Sequence, residues 1–293
     1  MAQQKITLRK IRDFGENFNE TFGFIRQEFS PLLKSFLAVG GIFMVMHSIA
    51  VAWYSSEQSS VFNDIFKGIT TRREMSDTFT LGYFLNIGLY YVLYCAMHTA
   101  ITAYFIVYEE KQGESPTMPE VWNCFARNFL KVVLYSIPTL IVTLIGLVLC
   151  LVPGVYFGVV LAPFATVVMV EGRSFTDSFN RCFQIIRENF WVSLAIYFVS
   201  YIVYSFMSGI ISFILGIIFG VTAFMTTKQF GTAYVLIMSA TSIFQFIFYI
   251  VFYVSVILNY YSLVERTDGT GLMDRINAIG DKEQSMFDNT GEF

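Results

Sequence analysis

Formal charge is what this chain lacks. Residues 35–56, 78–108, 132–170, 189–227 and 229–264 contain no Asp, Glu, Lys or Arg. A helix of about 20 apolar residues crosses about 30 Å of hydrocarbon, so each stretch can span a bilayer at least once. Charged residues make up 14% of the chain, against about 25% in soluble domains, and this deficit marks a membrane protein. It also excludes chemistry: a charge-free core offers no proton relay, ion site or pair of catalytic carboxylates. A net charge of −3, with the basic residues scattered, argues against nucleic acid as a partner.

Other absences narrow the field further. The four cysteines, Cys95, Cys124, Cys150 and Cys182, form no CxxC or Cys/His spacing, so neither a zinc site nor a disulfide framework is expected. Nucleophile elbows, P-loops and HExxH are missing. No cofactor, metal or catalytic residue is assigned, and the chain is expected not to be an enzyme. No short apolar run with a small-residue cleavage site opens the sequence, so the first apolar run reads as an uncleaved span.

What is present is an all-α, polytopic pattern. The run 35–56 gives one span and 78–108 a second. The run 132–170 is broken at Val152-Pro153-Gly154 into a hairpin, because Pro and Gly together mark a tight turn. The last two runs each read as one long helix, with 209–233 as additional apolar length at one membrane face. A turn at Ser208-Gly209, making a seventh span, is the alternative. The organisation expected is an amphipathic arm (1–30), a six-span membrane domain (31–264) and a tail (265–293) with a short helix over 272–278. Fifteen of the 19 basic residues fall in the two ends and the loops on their side. Lys and Arg select the cytoplasmic face, so both ends are expected there.

An amphipathic segment precedes spans 1, 3 and 5. The first contains Phe22, Ile25, Arg26 and Phe29, and the last Phe183, Ile186, Arg187 and Phe190, both F-x-x-I-R-x-x-F. The middle one, Cys124-Phe125-Ala126-Arg127-Asn128-Phe129, is shorter but related. A threefold unit of interfacial helix, outward span and returning span follows. In this reading Phe22, Ile25 and Phe29, and likewise Phe183, Ile186 and Phe190, enter the acyl boundary, while Arg26, Arg127 and Arg187 reach lipid phosphate. Generic anchoring is the simpler account of the same arginines.

Inside the spans, His47, Asn86, Tyr94, His98, Tyr201 and Gln245 are candidates for a polar cavity. At 1.5 Å per residue the two histidines lie about 14 Å apart along the membrane normal, too far to share a metal. Hydrogen bonding between helices is the plain explanation of such groups. Gly216 and Gly220 form a G-x-x-x-G pattern suited to packing within the chain. Glu171 and Arg187 are expected to pair across the loop before span 5.

The stretch with Val152-Pro153-Gly154, Glu171-Gly172, Ser178, Arg181 and Ile186-Arg187-Glu188-Asn189-Phe190-Trp191 resembles a bacterial six-span family. That family includes the membrane domain attached to some glycerophosphodiester phosphodiesterases and stand-alone inner-membrane proteins of the YciC type. The resemblance covers about a quarter of the chain. It implies a helical fold in the inner membrane and supplies no reaction.

The function expected is that of a non-enzymatic scaffold or accessory factor contacting lipid headgroups. Membrane lipids are the expected partners, with a second membrane protein as a further candidate. The alternative is a facilitator-type transporter or lipid translocator with a polar cavity at mid-membrane. Fused after Phe293, a reporter active only in the cytosol is expected to be active; activity of an externally active reporter would reject the orientation.

Overall fold

The computed structural model describes residues 6–68, 78–227 and 230–269. Among them the chain forms nine α-helices and no strand. They are α1 (Phe14–Gln27), α2 (Phe29–Phe66), α3 (Leu81–Glu110), α4 (Met118–Leu149), α5 (Leu151–Leu161), α6 (Phe164–Val170), α7 (Phe175–Ile186), α8 (Phe190–Thr227) and α9 (Phe230–Asp268), with one 3-10 turn at Arg187–Asn189. Six segments are long and apolar enough to cross a membrane: α2, α3, α4, α5 with α6, α8 and α9. The protein is an all-α, multi-pass integral membrane protein. The tail helix expected over 272–278 lies outside the described residues.

Helix boundaries follow local chemistry. Asp13 and Glu16 form a capping box at the start of α1, and Thr117 with Glu120 does the same for α4, each satisfying two orphan backbone donors. Thr80 caps α3 and Ser174 caps α7. Pro31 sits in the first turn of α2, where its missing N–H costs no helical bond. Gly172, at φ +66°, ends α6 in a left-handed conformation that a Cβ would disfavour.

Three details differ from the sequence reading. The hairpin between spans 3 and 4 turns at Cys150 alone, whose backbone is extended. Pro153 and Gly154 instead lie in the first turns of α5, where proline is tolerated and glycine permits contact. The real break in the returning arm is Pro163, between α5 and α6. Second, the amphipathic segment before span 3 is not a separate helix; it forms the first turns of α4 and runs unbroken into the span. Third, α8 passes straight through Ser208-Gly209 to Thr227. Among the described residues, 209–227 therefore extends α8 and 230–233 begins α9, with no seventh span. Within it Gly220 approaches Ile237, whereas Gly216 faces open space.

The helices pack as antiparallel neighbours. α2 lies against α3 and α9, and α8 against α9 along their length. α1 crosses α9, α8 and α2, and α7 packs on α5, α6 and α9. The faces expected in the acyl boundary are partly turned to protein instead. In α1, Phe24 is fully buried among Tyr104, Phe105 and Tyr108, and Ile25 joins the core. In α7, Ile186 is buried, and Phe183 and Phe190 pack on Tyr156 with ring centroids 6.2 and 5.2 Å away. Apolar surface buried against a protein neighbour excludes lipid as its partner.

Tryptophan marks the slab. All three tryptophans are exposed, Trp53 at 49%, Trp122 at 45% and Trp191 at 77%. Each is within five residues of a charged side chain: Glu57, Arg127 and Arg187 respectively. Indoles gather where hydrocarbon meets headgroups. From Lys34 to Trp53 the rise along α2 is about 28 Å, close to one hydrocarbon thickness. Tyr54 and Tyr83 pack with tilted rings at the Trp53 level, their centroids 5.8 Å apart.

The α4–α5 hairpin depends on Gly154. A Cβ there would sit 2.7 Å from Leu147 Cα, so Gly154→Ala is expected to lower stability by about 1–3 kcal/mol, the usual range for overpacking. Gly209, which faces open space, is the control: Gly209→Ala should leave the melting temperature in detergent nearly unchanged. Equal melting of the two variants would reject this packing role.

Candidate functional site

The arginines divide into two groups. Arg9 pairs with Glu109 at 2.6 Å. Arg12 is buried, binds Glu20, and donates to the carbonyls of Leu8 and Thr7. Arg181 is buried between Glu171 and Asp268, and Arg173 also reaches Glu171, at 2.7 Å. Arg266 bonds Asn189 and the Arg12 carbonyl. In contrast, Arg26, Arg127 and Arg187 are exposed and make no ion pair or hydrogen bond among the described residues. The expected Arg187–Glu171 pair does not form: Glu171 is occupied by Arg181, Arg173 and Tyr260, and the 3-10 turn leaves Arg187 facing outward.

Each unpaired guanidinium has exposed apolar neighbours on its own helix face. Phe22 and Phe29 flank Arg26, and Phe14, Phe18 and Phe22 form a ring ladder with centroids 5.6 and 5.9 Å apart. Leu130 lies one turn beyond Arg127, and Trp191 one turn beyond Arg187. An apolar anchor beside a cation suits the junction of acyl chains and phosphates. Sequence reasoning identified these arginines but missed Trp53, Trp122 and Trp191. Their signal was spacing from the nearest charge, which fixes the edges of the slab.

The bonded charges close the same end of the molecule. Glu109 accepts from Tyr261 at 2.8 Å as well as from Arg9, and Glu28, at the bend between α1 and α2, accepts from Tyr104 and Ser115, both at 2.7 Å. The backbone of Arg12 donates to Ser262. The segment before α1 is thereby tied to the ends of α3 and α9.

The six cavity candidates do not form one site. His47, Asn86 and Gln245 gather in a crevice of about 320 Å³ between α2, α3 and α9. Tyr94 and His98 line a separate cavity of about 240 Å³ between α3, α4 and α5. There His98 Nε2 bonds Thr166 at 3.1 Å, an interhelical contact that accounts for this histidine. Tyr201 lies on an open groove formed by α8 alone. The two cavities share no lining residue. Between their histidines stands an aromatic column, His47–Phe246–Tyr249–Tyr253–His98, with successive centroids 5.4, 5.9, 5.7 and 5.0 Å apart. Gln245 donates to Tyr204, and Asn259 to Ser193 and Tyr197, so α8 and α9 are joined by hydrogen bonds between polar side chains.

Comparison with family models, with curated proteins and with solved structures found no match.

Docking of α1 depends on a charge outside the membrane. Burial alone would raise the Glu20 carboxyl, but the hydrogen bond and charge of Arg12, then those of Lys10, outweigh it and hold the group below the ordinary carboxylate value. Its stabilising effect is therefore full above that ordinary value and is lost as pH falls through the depressed one. Amide exchange in 14–27, corrected for intrinsic rate, is expected to accelerate on acidification, and Glu20→Gln to flatten that dependence. A profile unchanged by Glu20→Gln would reject this role.

Proposed function

We propose that this chain is a non-enzymatic scaffold or accessory protein of a bacterial cytoplasmic membrane, with both ends in the cytosol, that grips anionic headgroups through Arg26, Arg127 and Arg187. The observation that carries the reading is the division of the arginines. Five of those described are committed to protein partners, while these three are exposed and unpaired beside apolar anchors. A guanidinium presents a planar fork that matches phosphate oxygens. Each basic residue near an anionic leaflet contributes about 1 kcal/mol of attraction. Three on one rim give a grip that single residues lack.

The excess of Lys and Arg around the two ends supports the orientation. The resemblance to the six-span inner-membrane family supports the compartment. A transporter or translocator reading lacks a matching feature, because the two polar cavities share no lining residue.

Replacing Arg26, Arg127 and Arg187 together by Gln is expected to reduce phosphatidylglycerol co-purifying with the protein by at least half, measured by mass spectrometry of extracted lipid. Lys67→Gln, an exposed change beyond the far end of the Trp53 belt, is expected to have no effect. Equal retention by the triple variant and the unaltered protein would reject headgroup recognition by these residues.

A further inference from the structure

The crevice at His47 opens sideways, toward what surrounds the bundle. Ile87, Tyr90 and Met238 line its mouth and are exposed, at 49%, 40% and 40%. They belong to α3 and α9, within the charge-free runs. A guest would enter from the bilayer.

Hydrogen-bonding capacity inside is partly unspent. Thr241 and Ser242 donate their hydroxyls to the carbonyls of Ile237 and Ser239, at 2.7 and 2.8 Å. Gln245 commits its Nε2 to Tyr204 at 2.8 Å. What these groups retain are acceptor oxygens and the second N–H of Gln245. Asn86 Oδ1 is buried without a partner, and so is Nδ1 of His47, a side chain 5% exposed. The two residues face each other, and Asn86 lies close enough to act on His47 as a hydrogen-bonding partner, although the pair falls short of normal bond geometry. Buried polar atoms without partners are rare, so each one calls for a ligand or water. A wall that holds acceptor oxygens beside amide N–H donors suits a guest hydroxyl, which both donates and accepts.

Charge restricts that guest. No Lys or Arg lines the crevice. The nearest ionised group along α2 is Glu57, held by Thr80 at the helix end above. A phosphate placed here would meet no compensating cation. Depth restricts it further. Asn86 is three residues, about 4.5 Å of rise, inside Tyr83 of the aromatic belt, and His47 is six residues, about 9 Å, inside Trp53. That is the layer just under the headgroups, where the hydroxyl of a weakly polar lipid lies while its chain occupies hydrocarbon.

We propose that this crevice binds a neutral lipid with a free hydroxyl, either a diacylglycerol or a long-chain prenyl alcohol. Asn86 and His47 receive the hydroxyl, Gln245, Thr241 and Ser242 supply further acceptors, and the chain leaves past Ile87 and Met238. The site is independent of the arginine rim, and its test does not involve those residues.

The test uses the full chain in nanodiscs with three photoreactive probes, each carrying a diazirine in its chain: a diacylglycerol, a prenyl alcohol and a phosphatidylglycerol. Cross-linked peptides are mapped by mass spectrometry. Either hydroxyl probe, or both, is expected to label peptides containing Ile87 or Met238 at least fivefold more than the phosphatidylglycerol, and the stronger identifies the lipid class. Asn86→Leu is expected to reduce that labelling about tenfold. Because a buried change can impair folding, Met238→Trp provides a second route: it blocks the mouth from an exposed position and should reduce labelling similarly while the protein melts normally. Absence of labelling by both hydroxyl probes, equal labelling by phosphatidylglycerol, or labelling indifferent to Met238→Trp in the folded protein would overturn the proposal.

Discussion

Hydrocarbon offers no partner to a backbone N–H or C=O, and this constraint governs the whole structure. It requires the spanning segments to satisfy their amides internally, which a helix does. It also pushes side-chain polarity into contacts between helices. Asn259 reaches Ser193 and Tyr197, Ser200 reaches Ser255, and Gln245 reaches Tyr204. Each pair lies where α8 meets α9, so the longest hairpin is also the one most stitched by hydrogen bonds. His98 follows the same rule through Thr166. His47 leaves its Nδ1 without a partner of normal geometry, and it lies in a polar crevice whose rim is exposed.

The two ends of the bundle are built differently. At one end Arg9, Arg12, Arg181 and Arg266 tie the segment before α1, helix α7 and the ends of α3 and α9 into a network. Within it the last turns of α9, including Tyr260, Tyr261 and Leu263, are enclosed by protein. At the other end Gly231 N–H donates to Asn63, and Thr80 binds Glu57. The unpaired arginines lie at the end that carries the arginine network, on helices packed into it.

Charge-free runs made the six spans legible in sequence, because spacing of Asp, Glu, Lys and Arg reports bilayer thickness directly. Helix continuity was less legible. The stretch before span 3 carries the same amphipathic composition as those before spans 1 and 5, yet nothing breaks α4, whereas Glu28 bends the chain before α2 and a 3-10 turn separates α7 from α8. Proline was read at Pro153, but the break falls at Pro163, between α5 and α6; Pro153 lies in the first turn of α5, where its missing N–H costs little, and α4 runs unbroken through its interior Pro138. The arginines at 26, 127 and 187 were identified from a recurring motif. Their freedom from partners was not, because it depends on which carboxylates other arginines occupy, a matter of three-dimensional competition. The grouping of His47 with Asn86 and Gln245, and the separation of all three from His98, likewise needed the register between α2, α3 and α9.

α8 has 38 residues, about 57 Å of helix, and even a steep inclination of about 40° leaves it about 44 Å tall, well beyond an average hydrocarbon layer. Ile217, Ile218, Val221 and Met225 are exposed along its far portion, where that surplus emerges. Oily surface left in water is unfavourable, so neighbouring lipids stretch, or thicker patches of membrane collect around the hairpin. Acyl-chain length thereby becomes a variable to which this protein's placement within a membrane responds.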